Sequence, residues 1–186
     1  MRVGVLAYQG DVREHIATLG RCGAEGVPVK YEEELRACDA LILPGGESTT
    51  IGKLVTSFGL AEPLAQFGAS GKPIFGTCAG LIMLAKNIVG SDQFRLGLMD
   101  ITVERNAYGR QVESFESELE SPAFPGEPLP GVFIRAPRIE AIGPEVEPLA
   151  FHGGRVVLCR QGRFLAASFH PELTSDDRVH RYFLEM

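Results

Sequence analysis

The sequence predicts an α/β fold of three layers, an open and mostly parallel sheet with helices on both faces. Two patterns predict it: short runs that are apolar throughout, and amphipathic stretches of helical length that alternate with them. Continuous apolar runs suit strands buried on both faces, and parallel neighbours need helical crossovers. Taken in order, a strand over 3–7 leads to a helix over 11–20, a strand over 27–30, a helix over 32–38 and a strand over 40–43. Helices over 50–58 and 62–70 precede an apolar run at 72–75, which enters a glycine turn and leaves as a helix over 81–86. From about residue 98 the pattern shortens into β-like pieces broken by glycine and proline, and 116–131, rich in acidic residues and proline, reads as an exposed loop. Strands over 155–160 and 163–168 and a helix over 175–185 close the chain. No internal repeat or interdomain linker interrupts it, so 1–186 reads as one domain.

The most informative segment is Gly76-Thr77-Cys78-Ala79-Gly80. A strand, a sharp turn and a helix follow one another, with a cysteine at the turn. Glycines two positions before and two after a nucleophile let the backbone turn tightly, as in the Gly-x-Ser-x-Gly elbow of hydrolases. A thiol held there is exposed, aimed and close to a helix N-terminus, whose dipole and free N–H groups favour thiolate. Cys78 is therefore a candidate nucleophile, although an isolated cysteine is usually a small core residue.

A cysteine nucleophile needs a base, and His170 is offered at the end of the apolar run 164–169. Pro171 stops strand pairing there, and Glu172 stands two residues on to orient and charge-stabilise the imidazole. The turn Pro44-Gly45-Gly46-Glu47-Ser48-Thr49 follows another apolar strand, and Ser48 or Thr49 would serve as a helix N-cap. Backbone N–H groups at Gly46 and at Ala79, the residue after the nucleophile, would make the two halves of an oxyanion hole. In open parallel sheets ligands bind beyond the carboxyl ends of the strands, where Gly46, Cys78 and His170 all fall. A phosphate loop is excluded by spacing, since five residues separate Gly46 from Gly52 and Leu54 follows Lys53 where Ser or Thr is required. The first strand leads into Tyr8-Gln9-Gly10-Asp11 rather than a dinucleotide fingerprint.

Composition excludes several classes. The chain has 186 residues, of which 45% are hydrophobic, enough for a full core. A net charge of −6 argues against a general binder of nucleic acid or anionic membrane. No apolar run reaches the ~20 residues of a membrane span, and the apolar start is too short for a signal peptide, which makes the cytoplasm the expected location. The 4 cysteines lack a Cys-x-x-Cys pair and the 4 histidines lack ligand spacing, so neither a disulfide framework nor a metal site is expected. His15, on the first helix, reads as a packed or half-exposed residue.

These residues resemble the class I, or triad, glutamine amidotransferases, and within them the glutaminase subunits of pyridoxal 5′-phosphate synthase. The cysteine elbow and the His170-Pro171-Glu172 ending are shared across class I. The narrower match rests on Leu6-Ala7-Tyr8-Gln9-Gly10-Asp11, Pro44-Gly45-Gly46-Glu47-Ser48-Thr49, Arg105-Asn106-Ala107-Tyr108-Gly109-Arg110-Gln111, Phe133-Ile134-Arg135-Ala136-Pro137 and Phe169-His170-Pro171-Glu172-Leu173-Thr174. Tyr8 departs from the aliphatic residue expected before the Gln-Gly pair. The blocks run from the first strand to the last helix, so the resemblance spans essentially the whole chain.

The resemblance implies a flavodoxin-like sheet with Cys78 as nucleophile, His170 as acid and base, and Glu172 as the residue that orients His170. It implies that Gly46, Glu47 and Ser48 line the glutamine site and that Arg105, Ile134 and Arg135 complete it. Sequence alone leaves open whether Arg105 and Arg135 meet the glutamine carboxylate, sit as solvated strand-end charges or contact a partner. The implied reaction is hydrolysis of L-glutamine to glutamate and ammonia through a γ-glutamyl thioester. The implied partner is the synthase subunit, a β/α barrel assembled as a dodecamer, which orders the oxyanion loop on docking and uses the ammonia. Pyridoxal 5′-phosphate is then a product of the complex, and no cofactor is expected on this chain. The same triad would also serve a stand-alone γ-glutamyl peptidase, whereas a silent binding module would need a damaged triad or oxyanion turn, and neither is visible.

Overall fold

The computed structural model describes residues 1–105 and 114–186. The chain begins β1 (Arg2–Leu6), α1 (Val12–Arg21), β2 (Glu25–Val29), α2 (Glu32–Arg36) and β3 (Ala40–Leu43). It continues α3 (Ser48–Ser57), α4 (Ala61–Ala69), β4 (Ile74–Thr77), α5 (Ala79–Leu84), β5 (Ala85–Ile88) and β6 (Met99–Glu104). After the undescribed residues come β7 (Ser114–Leu119), β8 (Leu129–Ile134), β9 (Arg138–Ile142), β10 (Glu147–His152), β11 (Arg155–Gln161) and β12 (Phe164–Ala167). A 3₁₀ turn, Pro171–Leu173, and α6 (Arg178–Leu184) end the chain.

The central sheet has seven strands in the order β10-β11-β12-β4-β3-β1-β2. The five from β12 to β2 are parallel, and β11 and β10 join antiparallel at one edge. Because side chains alternate across a strand, each strand feeds two cores. Leu41, Leu43 and Ile74 pack on one face with Ile51, Val55, Leu64 and Met83 from the helices α3, α4 and α5. Ala40, Ile42 and Phe75 pack on the other with Leu19 of α1 and Val179 and Phe183 of α6. This is the expected three-layer architecture, and β3 and β4 are buried throughout as their unbroken apolar runs require.

Three expectations change. The helix after the elbow ends at Leu84, and Lys86 lies in β5, which pairs with β6. Much of 116–131 is not loop: β7 and β8 form an antiparallel pair in which Leu119, Leu129 and Phe133 are buried. Glu116 and Glu118 are the outward members of a period-two alternation with Phe115, Ser117 and Leu119, so their charge masked a strand. The last helix starts at Arg178, since Ser175 and Asp176 form the turn before it and the Asp176 carboxylate accepts from the Arg178 N–H at 3.0 Å.

Candidate active site

Three parallel strands lying side by side, β3, β4 and β12, end at one place and deliver the glycine turn, the cysteine and the histidine. β4 runs into Cys78, whose N–H donates to the Ala167 carbonyl of β12 at 2.8 Å. Cys78 adopts φ 50°, ψ −102°, a region that L-residues rarely occupy and that persists where surrounding structure enforces it. The enforcement is visible in the flanking glycines, because a Cβ on Gly80 would overlap the Leu43 carbonyl and one on Gly76 would overlap the backbone of Gly80. Ala79 opens α5, so its N–H has no partner in the helix ladder. The Cys78 Sγ lies 3.8 Å from the Ile134 carbonyl.

His170 is only 3% exposed, and its N–H donates to the Val132 carbonyl of β8 at 2.8 Å, which fixes the residue against the strand the sequence hid. Its Nδ1 lies 2.8 Å from Glu172 Oε1 and 3.2 Å from Asp11 Oδ2. With Nδ1 committed to carboxylates, Nε2, without a hydrogen-bond partner among the described residues, is the nitrogen left to exchange a proton with Cys78. Burial works against a charged ring, but contacts to Asp11, Cys78 and Glu172 outweigh it, and His170 titrates well above the ordinary histidine range. Burial pushes the Glu172 carboxyl up, while the hydrogen bond and charge of His170 pull it back. Asp11, His170 and Glu172 bring donor atoms within 4.8 Å of one another, a spacing a cation could use. The short His170–Glu172 contact commits those atoms to a proton, and the cluster reads as acid–base machinery.

A cavity of about 270 Å³ opens over this centre. Gly46, Glu47 and Ser48 line one side, Cys78 and Ala79 the floor, Arg105, Ile134 and Arg135 the far side, and His170 the back. Every residue expected to touch the substrate is therefore at one cavity, with Glu172 behind His170. The rest of the motif that begins at Arg105, residues 106–111, lies outside the described residues. The turn from β3 reaches His170 closely, since a Cβ on Gly45 would overlap the ring at Cε1, and Gly46 takes φ +143°. Arg135 also has a positive φ, 41°, at the end of β8.

The N-cap expectation is corrected. Glu47, not Ser48 or Thr49, caps α3: its carboxylate accepts from the N–H of Thr49 at 3.1 Å, the N–H of Thr50 at 2.8 Å and both hydroxyls. These bonds, led by the Thr49 hydroxyl, hold the carboxyl down at about 2. The acid is therefore occupied by the helix, and its carbonyl accepts the Ile51 N–H at 3.0 Å, so Glu47 shapes the rim of the cavity as a fixed turn residue. Ser48 is buried as the first residue of the helix.

The sequence reading assigned no role to several residues that hold this arrangement. Gln9 Oε1 accepts the Glu47 N–H at 2.9 Å and so braces the glycine turn. Gln93 Oε1 accepts from the Arg105 guanidinium and lies 3.4 Å from Ser48 Oγ. Asp11 carried a usable signal, an acidic residue just past the first strand at the point where strand order reverses. Gln93 carried none, because its stretch has neither strand nor helix periodicity.

A model of the SNO glutamine amidotransferase family matches residues 5–186. The chain is similar to a protein named pyridoxal 5′-phosphate synthase subunit PdxT from Pelotomaculum thermopropionicum, 61% identical over 185 residues that cover 100% of this chain and 94% of the relative. A protein of the same name from Geobacillus thermodenitrificans is 60% identical over 186 residues, 100% of this chain and 95% of the relative. Among solved structures, one described as a glutamine amidotransferase superposes with a TM-score of 0.93 at 55% identity, covering 98% of this chain and 97% of its own.

Proposed function

The chain belongs to the SNO glutamine amidotransferase family, and from that membership we propose how its residues hydrolyse L-glutamine to glutamate and ammonia. The observation that carries the proposal is the convergence of Cys78, His170 and Glu172 at the ends of adjacent strands beneath one cavity. Cys78 is the nucleophile. His170, favoured as imidazolium by its carboxylate neighbours, stabilises the thiolate as its counter-ion. Sγ attacks the side-chain amide carbon, the carbonyl π-electrons move to oxygen, and the N–H groups of Gly46 and Ala79 receive the oxyanion. As the tetrahedral intermediate collapses, the C–N bond breaks and His170 Nε2 gives its proton to the departing nitrogen, leaving ammonia and a γ-glutamyl thioester. Nε2, now neutral, takes a proton from water as the water oxygen attacks the thioester; cleavage of the C–S bond releases glutamate and restores the thiolate–imidazolium pair. Glu172 orients the ring throughout. Arg105 and Arg135 hold the substrate α-carboxylate, the group an arginine meets best.

The relatives are named as subunits of pyridoxal 5′-phosphate synthase, and this chain is a glutaminase subunit of such an assembly. In our reading 1–186 is one glutaminase domain docked on a β/α-barrel synthase arranged as a dodecamer, which takes up the ammonia. The family resemblance supports that arrangement. Among the described residues no helix is long and apolar enough to cross a membrane. A cytoplasmic setting is the reading we adopt, supported by the free state of Cys22, Cys38, Cys78 and Cys159.

The test is glutamate release from glutamine by the chain alone and with the synthase subunit, with Cys78→Ala as control. Activation by the synthase, lost in the variant, is expected. Equal turnover without the synthase would favour a stand-alone γ-glutamyl hydrolase, and no turnover in either mixture would favour a silent module.

A further inference from the structure

Behind the triad lies a second pair of histidines that the reaction above does not use. His15 of α1 and His180 of α6 are both fully buried, although 165 positions apart. His15 Nδ1 lies 3.0 Å from His180 Nε2, and His15 Nε2 lies 3.1 Å from Thr77 Oγ1 and 3.5 Å from Glu172 Oε1. One ring thus touches the residue before the nucleophile, the carboxylate that orients the base, and the last helix. Phe75 closes the apolar side, with ring centroids 6.4 Å from His15 and 5.7 Å from His180.

The direction of the hydrogen bonds follows from what each alternative leaves unpaired. If His15 donated from Nδ1, its bare Nε2 lone pair would face the Glu172 carboxylate, and His180 would bury an Nδ1–H with no acceptor among the described residues. If His180 donates from Nε2, His15 turns its Nε2–H toward Thr77 and Glu172, and the atom left unpaired at His180 Nδ1 is a lone pair. An orphaned buried N–H is the costlier fault, and an N–H facing a carboxylate is attractive. The second arrangement is the stable one.

We propose that His15, oriented by His180, is a positioning residue of the glutaminase triad, whose Nε2–H steadies the Glu172 carboxylate and ties it to the strand end that carries Cys78. The proposal rests on the glutaminase reading of Cys78. Oε1, the oxygen that meets His170 Nδ1 at 2.8 Å, is also the one His15 Nε2 faces at 3.5 Å, while among the described residues Oε2 is buried without a hydrogen-bond partner, so a donor at Oε1 helps hold the carboxylate ionised and in place. The charged and titratable groups around the pair are Glu172 and His170 from the 3₁₀ turn and its start, Asp177 at the head of α6, and Arg21 at the end of α1. Burial keeps both His15 and His180 neutral over the physiological range, the state this donor chain requires.

The test compares His15→Leu, which keeps bulk without a donor, with His15→Gln, whose amide N–H reaches the Nε2 position. Each is assayed for glutamine hydrolysis with the synthase subunit across pH 5 to 9, with melting temperature measured alongside. Losing the donor lets Glu172 protonate more readily and supports the His170 imidazolium less, so the pH profile of kcat/KM should narrow from both sides. For His15→Leu we expect kcat to fall roughly tenfold or more, the scale on which outer-shell groups that orient metal-bound histidines act, with KM nearly unchanged and most of the loss restored in His15→Gln. A folded His15→Leu with the parent kcat and pH profile would overturn the proposal. So would equal losses in both variants that merely track their melting temperatures. Should His15→Leu not fold, His180→Leu against His180→Gln is read in the same way. The pH dependence of Cys78 alkylation by iodoacetamide gives a readout without glutamine. An inactive parent would defeat the glutaminase reading, whereas an alkylation profile unmoved in His15→Leu would defeat the role of His15 alone.

Discussion

His170 Nδ1 lies 2.8 Å from Glu172 Oε1, although only Pro171 separates the two residues. A hydrogen bond between side chains two positions apart needs the backbone to bend between them. The 3₁₀ turn that starts at Pro171 supplies that bend and sends Glu172 inward beneath the ring. Asp11 reaches the same nitrogen from α1's N-terminal side at 3.2 Å, so two carboxylates of different exposure address one proton.

Glu172→Gln should cut kcat by about 10⁴-fold, the scale seen when an orienting carboxylate is lost while nucleophile and base remain. Asp11 is partly exposed and its charge is screened, so Asp11→Asn should cost less than tenfold by that comparison. Steady-state kinetics of the two variants checks the ranking, and a larger loss in Asp11→Asn would reverse the assignment of the orienting residue.

Gly45→Ala places a Cβ on the His170 ring at Cε1. The ring or the turn must shift, at a cost of about 1–3 kcal/mol typical of overpacking. Chemical denaturation should show that loss and turnover should fall with it. Parent-like stability and kcat would mean that the turn does not bear on His170.

Stability should depend on pH through the buried histidine pair. Burial, then the charges of His180 and His170, lowers the pKa of His15, and burial lowers that of His180 to about 4. In the unfolded chain both take up protons near pH 6.5, so between about 6.5 and 4 the unfolded state binds more protons and stability rises with pH. Acidification through that window therefore destabilises, by on the order of 3 kcal/mol for His180 alone at 1.36 kcal/mol per unit. His170 behaves oppositely: its raised pKa stabilises fully below the unfolded value and is lost only as pH rises through the folded one, so it contributes no slope in this window. Melting curves at about pH 7.5 and 5 should show a larger drop for the parent than for His180→Leu; equal drops would contradict the assignment.

Much of the fold and most of the site were legible in the chain, for reasons that also explain the exceptions. β3 and β4 announce themselves because a strand buried on both faces must be apolar throughout. Cys78 and His170 announce themselves because glycine and proline fix the backbone around them. β7 did not, because Glu116 and Glu118 alternate with inward residues and only the partner strand shows which face is buried. That strand pair is what brings Ile134 and Arg135 to the cavity. Glu47 was legible as a pocket residue but its capping role was not, because a Ser-Thr-Thr run offers better-known caps beside it. His15 and His180 meet only after α1 and α6 pack on one sheet face, a juxtaposition that no local pattern encodes.

The central claim is covalent attack by Cys78, and the most direct measurement is mass spectrometry of the chain quenched in acid during turnover of glutamine with the synthase subunit. A γ-glutamyl group on the peptide containing Cys78, absent in Cys78→Ala and lost on further incubation without glutamine, is the predicted result. Turnover that proceeds with no adduct on Cys78, or that persists in Cys78→Ala, would contradict it.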